Sequence, residues 1–377
     1  MGIRTRSHDG ECEAQLGPVI YSSSSDFLGN FMVIRSRAPL RLGLAGGGTD
    51  VSPYCDEFGG AILNATIGHY AYASIEPLNS DLIEFASSDQ ELVVQYEASA
   101  KLQPDGALDL LKAVHNYAVR NFNSGKPLSL RLMTRVDVPS GSGLGGSSTL
   151  VVAALKAYSE LLNSPLDDYA LAHAGYIIER EDAGLLGGRQ DHYAAAFGGF
   201  NFMEFGKNGS VLVNPLRVKE SVSSELEASM LLFYSGASRA SGEIIAEQTR
   251  NVETGNAAAL EAMHKIKQEA MRMKEALLRG DFKLLHDVLR SSWEAKKRMA
   301  SRIVNEKIEQ LYAKALESGA YCARISGAGG GGFMIFFTDP MRKDRVADAL
   351  QRCENSGVIY GCHFTNDGAQ AWRVNQL

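Results

Sequence analysis

The stretch Pro139-Ser140-Gly141-Ser142-Gly143-Leu144-Gly145-Gly146-Ser147-Ser148 contains four glycines and four serines in ten residues. Glycine lets a backbone approach a ligand closely, and the first turn of a helix offers unpaired N–H groups to an anion. The chemistry such a stretch suits is cradling a phosphate; the plain alternative is a Gly-rich connector. The flanking elements decide between them. Before the stretch, Leu128, Leu130, Leu132, Val136 and Val138 alternate with Ser129, Arg131, Arg135 and Asp137, the period of a half-buried strand. After it, Leu150, Val151, Ala154, Leu155, Tyr158, Leu161 and Leu162 recur at helical spacing. A strand that runs into a Gly/Ser loop opening a helix places that loop where a phosphate can sit.

A Walker loop would need a lysine before its final Ser/Thr, and this loop has none. Gly141, Gly143 and Gly146 match G-x-G-x-x-G, but a dinucleotide fold would then need a strand soon after the helix. A second helical pattern, Leu166 to Arg180, follows instead. The pattern that remains, P-x-x-x-G-L-G-x-S over Pro139–Ser147, resembles the ATP loop of the GHMP small-molecule kinases. Two further motifs resemble that family's first and third: Ala38-Pro39-Leu40-Arg41-Leu42-Gly43-Leu44-Ala45-Gly46-Gly47-Gly48-Thr49-Asp50, and Ile325-Ser326-Gly327-Ala328-Gly329-Gly330-Gly331-Gly332-Phe333. The forms A-G-G-G-T-D, G-G-R-Q-D at 187–191 and S-G-A-G-G-G-G-F are most similar to the sugar 1-kinases of the family.

The resemblance implies an α+β fold with a ribosomal-protein-like N-terminal domain, a ferredoxin-like C-terminal domain, and ATP and substrate sites in the cleft between them. It implies ATP-dependent phosphorylation of a sugar at its anomeric hydroxyl, the sugar being a heptose phosphate. The other readings are a fucokinase-like or galactokinase-like enzyme, a kinase for an isoprenoid alcohol, or a non-catalytic metabolite sensor. Phosphoryl transfer needs a phosphate cradle, a bridging cation and a nucleophile held in line. By motif register Pro139, Gly141, Ser142, Gly143, Leu144, Gly145, Gly146, Ser147 and Ser148 hold ATP, and Ser147 is offered to Mg²⁺, with Ser148 as the alternative. A helix N-cap hydroxyl is the plain reading of Ser147. The second cation ligand is Glu179, twelve residues before Asp191 as in galactokinase-like members, with Glu181 close by. Asp191 matches the catalytic aspartate, although an N-cap aspartate would look the same in sequence. Arg41 would stabilise that carboxylate or the migrating phosphoryl charge, and Asp50 would accept hydrogen bonds from the sugar. Gly46, Gly47, Gly48, Thr49, Gly327, Gly329 and Gly330 are expected along the substrate. Where galactokinases carry Glu-His before the aspartate, this chain has Gly47-Gly48-Thr49, which argues for a bulkier or charged sugar. A phosphorylated sugar needs an anion pocket, for which Arg189 and Arg239 are the expected residues and Lys296 and Lys297 further candidates.

The elements that must position these groups follow from periodicity. Strands are expected from Met32, over 59–75, 82–86, 91–97, 199–205 and 210–217, and helices over 106–122 and 190–196. A polar, Gly/Ser-bearing shift at 206–224 suggests a domain boundary: a tail at 1–31, an N-terminal domain at 32–215 and a C-terminal domain at 216–377. The second half reads as a strand at 228–234, helices at 241–279 (broken near Thr254-Gly255), 281–300, 304–318 and 340–354, and strands at 320–326, 332–338, 357–364 and 370–374. The tail is expected to be irregular, or an over-extended start with Met32 as the initiator. The whole chain of 377 residues, 45% hydrophobic and 22% charged, has ordinary globular composition with enough length for two cores. A net charge of −6 without a basic, aromatic-interleaved run argues against nucleic acid, and no apolar run suits a membrane span. The five scattered cysteines and the lack of a signal peptide fit a cytoplasmic protein without a disulfide frame or zinc site. Oligomeric state stays open, a homodimer being one option.

Overall fold

The computed structural model describes residues 32–236 and 241–375; the expected tail at 1–31 and Arg239 lie outside the described residues. The first half builds a sheet on β1 (Met32–Ala45) and the 18-residue β2 (Gly60–Pro77), which pair antiparallel. Beyond them come β3 (Leu82–Ser87), β4 (Leu92–Glu97) and β5 (Leu130–Val136) in the order β1-β2-β5-β3-β4, the β3–β5 pair being parallel. The end of β2 pairs with β5, while its start pairs with β6 (Phe200–Phe205), which carries β7 (Val211–Pro215) at its edge. The chain's last strand, Gln370–Asn375, returns to pair with β1. The strands up to Pro215 all belong to this first sheet, which is completed from the far end of the chain. A strand edge left bare at β1 would expose its backbone donors and acceptors, and the returning strand covers it.

Helices Asp109–Phe122, Gly146–Leu161, Asp168–Tyr176 and Gln190–Phe197 cover one face of this sheet around a core that includes Phe85, Leu132, Val151, Leu155 and Tyr158. The other face presents Leu40, Leu42, Leu44 and Ile67 to the second half. There a four-stranded antiparallel sheet runs β11-β8-β10-β9, with β8 at Met230–Tyr234, β9 at Ala320–Ile325, β10 at Phe333–Thr338 and β11 at Val358–Tyr360. Leu232, Phe333 and Ile335 join the Leu40–Ile67 cluster together with Met273 and Leu289 of the helices Ala257–Arg279 and Phe282–Lys296. Their alternates Leu231, Phe233, Met334 and Phe336 pack on Trp293, Leu311 and Leu350. Each such side chain contributes roughly 1.5–3 kcal/mol by leaving water. The two halves thus share the Leu40–Ile67 cluster, and the cleft opens between them.

Two local differences from the periodicity bear on the site. Lys219 leads into a helix, Glu220–Ser229, that overlaps the polar shift at 206–224; its buried Val222 and Leu226 are too few to stand out as a pattern. The helical pattern at 166–180 is α-helical over Asp168–Tyr176 and then widens to a π-helical turn over Ile177–Asp182, which carries Glu179. Such turns disturb the 3.6-residue period and recur at functional sites.

Candidate active site

A cleft of about 530 Å³ lies between the halves, walled by all three glycine motifs. The phosphate-loop candidate forms one wall. The helix Gly146–Leu161 starts from Gly145, and no side chain caps it, so its first N–H groups are left for another acceptor. Ser147 is therefore not the N-cap. Gly141, Gly143 and Gly145 all have positive φ, the conformation that an L side chain resists.

β1 delivers Arg41 to the centre of the cleft. Its pairing with β2 slips between Pro39↔Tyr70 and Arg41↔Thr66, a bulge that re-aims the side chain. Arg41 Nε donates to Asp191 Oδ1 at 2.6 Å, and Nη1 donates to the Gly143 carbonyl at 2.8 Å. The Ser326 hydroxyl donates to the same carbonyl at 2.9 Å. The first, second and third motifs therefore meet on one guanidinium. Asp191 borders the loop closely: a Cβ on Gly145 would stand 3.1 Å from its Cγ. Asp191 lies in the first turn of helix Gln190–Phe197, whose start is held by Asp50: the Gln190 N–H donates to Asp50 Oδ2 at 3.0 Å. Burial raises the Asp50 carboxyl above its usual range and Asp191 adds to this, while the Gln190 N–H and Arg41 oppose it. Asp50 lines the cleft and also positions Asp191's helix.

At the helix start, Ser147 Oγ donates to Glu179 Oε1 at 2.7 Å and Ser148 Oγ to Oε2 at 2.5 Å. Arg180 Nη2 stands 3.2 Å and His192 Nε2 2.8 Å from the same Oε2. Burial alone would raise the Glu179 carboxyl, but His192, Arg180 and Ser148 together bring it down to about 2. Glu179 is 1% exposed, whereas Glu181 is exposed. A carboxylate held ionised at neutral pH beside a serine hydroxyl is an oxygen donor pair suited to Mg²⁺, which takes one or two protein oxygens and completes its shell with water and phosphate. Among the described residues, no group of three or more His, Cys, Asp or Glu could hold a metal without such help.

Of the expected substrate residues, Gly47, Gly48, Asp50, Gly327 and Gly329 line the cleft. Gly46, Thr49, Arg189 and Gly330 do not, nor does Leu144 of the expected ATP residues. A Cβ on Gly46 would collide with the Ala61 carbonyl, and the Thr49 hydroxyl is spent on Gly46 and Ala61, so both fix the turn. Leu144 is fully buried in the shared core. Arg189 does not line the cleft: its Nη2 lies 3.2 Å from Asp56 and its guanidinium over the Tyr176 ring. Arg239 lies outside the described residues. Among the cleft residues that the sequence reading gave no role are Arg180, which clamps the loop through the Gly188 and Leu185 carbonyls, Gln190 and Arg324. A charged residue in an otherwise apolar strand, Tyr321-Cys322-Ala323-Arg324-Ile325, was the available signal for Arg324.

Comparison with known proteins agrees with this geometry. Models described as the GHMP kinases N terminal domain and the GHMP kinases C terminal match residues 109–199 and 273–355. The chain is 48% identical over 341 residues to a D-glycero-alpha-D-manno-heptose 7-phosphate kinase from Campylobacter jejuni, covering 90% of this chain and 99% of that one. It resembles the crystal structure of a D-glycero-D-manno-heptose 1-phosphate kinase from Bacteroides thetaiotaomicron with a TM-score of 0.77 and 43% identity, covering 91% and 100% of the two chains. Lactococcus lactis galactokinase complexed with galactose shares the fold, with a TM-score of 0.70 and 17% identity over 90% and 95% of the chains.

Proposed function

The chain belongs to the GHMP kinase family, and on that premise we propose that it transfers the γ-phosphoryl group of ATP to the anomeric hydroxyl of a heptose already phosphorylated at C7. The observation that carries phosphoryl transfer is the placement of Asp191, held at 2.6 Å by Arg41 and bordering Gly145 of the phosphate loop. A hydroxyl bound against Asp191 would face phosphates resting on the helix start at Gly146. Asp191 orients that hydroxyl and takes its proton; the anomeric hydroxyl is more acidic than an ordinary alcohol, so the demand on the base is modest. Arg41 and the uncapped helix N–H groups oppose the negative charge on the transferring group. Ser147 and Glu179 would hold Mg²⁺, which when bound neutralises phosphate charge.

The acceptor rests on the relatives. Both are named as kinases of a D-glycero-D-manno-heptose phosphate, and the relative with 48% identity is named for the 7-phosphate, which is the acceptor adopted here. The test is ATP consumption by the purified protein with heptose 7-phosphate, unphosphorylated heptose, L-fucose, galactose and mevalonate, followed by phosphorus NMR of the product. Turnover on heptose 7-phosphate with a new anomeric phosphate is the expected result. Faster turnover on fucose or galactose would replace the acceptor, and no turnover on any would favour a sensing role. Among the described residues no helix is long and apolar enough to cross a membrane.

A further inference from the structure

Arg41, Lys296 and Arg324 line one part of the cleft within electrostatic reach of one another, and among the described residues only Arg41 of the three has a carboxylate partner. Lys296, 6% exposed at the end of helix Phe282–Lys296, donates from Nζ to the Gly327 carbonyl at 2.5 Å. Arg324, 7% exposed on β9, donates from Nη1 to the Leu44 carbonyl, and its Nε is buried without a hydrogen-bond partner. Among the described residues neither forms a salt bridge. Two buried positive charges held only by backbone carbonyls are costly, and the cost falls when an anion completes them. Both side chains also line a small recess beside Gly46 and Gly47. A Cβ on Gly47 would meet nothing within 4 Å, so this glycine is not demanded by packing and leaves room beside Asp50.

We propose that Lys296 and Arg324 are specificity-determining residues that bind the phosphate already carried by the acceptor, in the part of the cleft bordered by Gly47. This rests on the reading of the acceptor as a phosphorylated sugar. The nucleotide phosphates have their own cradle at 139–148 and their own cation ligands at Ser147 and Glu179. A second dianion matches two further cations, an ammonium and a planar guanidinium, that the nucleotide site leaves over. The open position at Gly47 lets a chain longer than that of a hexose pass toward them.

The experiment compares kcat/KM for heptose 7-phosphate and for unphosphorylated heptose in the wild type, Lys296→Met and Arg324→Met. Loss of a charge-assisted contact predicts a roughly ten- to hundredfold fall in the preference for the phosphorylated sugar in each variant. The KM for ATP should rise far less than that for heptose 7-phosphate. A preference that survives both substitutions, or an equal rise in both KM values, overturns the pocket while leaving the acceptor reading intact. A wild type without preference overturns the acceptor reading and the pocket with it. Because Arg324→Met removes a buried contact to Leu44 and could unfold, Lys296→Met is also tested by melting. With Mg-ADP present to fill the nucleotide site, inorganic phosphate should raise the melting temperature of the wild type and not of Lys296→Met. An equal rise in both overturns the proposal.

Discussion

Gly143 and Gly327 meet backbone to backbone: a Cβ on Gly327 would lie 2.7 Å from Gly143 Cα, and a Cβ on Gly143 would lie 2.7 Å from the Ser326 carbonyl. Two glycine motifs 184 positions apart are thus pressed together (327 − 143 = 184), and neither glycine is explained by a ligand alone. Gly143→Ala is expected to cost roughly 1–3 kcal/mol of stability, since it adds this collision to a positive φ. Gly146 is the contrast, because a Cβ there would stand 3.7 Å from Val136 in ordinary contact within the helix. Gly146→Ala should lose no stability and gain up to about 1 kcal/mol. Thermal melts of the two proteins decide it; equal stability would mean that the loops are not joined as described.

Asp191 is distinguished from a helix cap by its charge. Asp191→Asn keeps the size and one acceptor oxygen, and asparagine caps a helix about as well as aspartate. As a base or orienting group, Asp191 matters most in the transition state, so kcat should fall roughly 10²–10⁴-fold with the KM for ATP little altered. A kcat like that of the wild type would take Asp191 out of the chemistry and leave Arg41 and the cation.

The cation ligands can be read from magnesium dependence. Ser147→Ala removes one of the two oxygens, 2.7 Å apart, and should raise the Mg²⁺ needed for half-maximal turnover on the order of tenfold. Glu179→Gln should do at least as much. It also costs stability, because it sets a neutral amide against Arg180 and His192 in a buried place. Glu181→Gln, on an exposed side chain, should do neither. A magnesium effect at Glu181 and none at Glu179 would overturn the assignment.

Much of this site was legible because motif glycines and serines sit in contiguous stretches whose backbone geometry is local. The loop, its strand and its helix follow from a period of two, four glycines and a period of 3.6. Glu179, Asp191 and Arg41 came only from spacing shared with a family, and the structure joins them to the loop through tertiary contacts that no local pattern encodes. Arg189 illustrates the limit. An arginine beside a candidate base looks suited to an acceptor's phosphate in sequence, but at the start of helix Gln190–Phe197 it faces Asp56. Thr49 failed for the same reason, since hydroxyl direction depends on the Gly46 turn. The return of Gln370–Asn375 to β1 was equally hidden, because pairing partners over 300 residues apart leave no periodic trace.

The last expectation concerns pH. Burial, with Arg324 and Arg41 close by, pushes the Lys296 ammonium down from its ordinary 10.5 to about 7, against a weaker opposing pull from Asp50. Only the protonated form attracts a dianion, so kcat/KM for heptose 7-phosphate should fall as pH rises above about 7. On the acid side it should fall as the acceptor's phosphate takes its second proton near pH ~6. Unfolding cannot imitate the alkaline limb. Between pH 7 and 10.5 the unfolded chain binds a proton at this lysine that the folded chain has released, so this group makes stability rise with pH through that window. Lys296→Arg separates the remaining explanations, because arginine keeps its charge throughout the range. The variant should retain a preference for the phosphorylated sugar and lose the alkaline limb. If the limb persists in Lys296→Arg, it belongs to another group, and Lys296 is not what titrates.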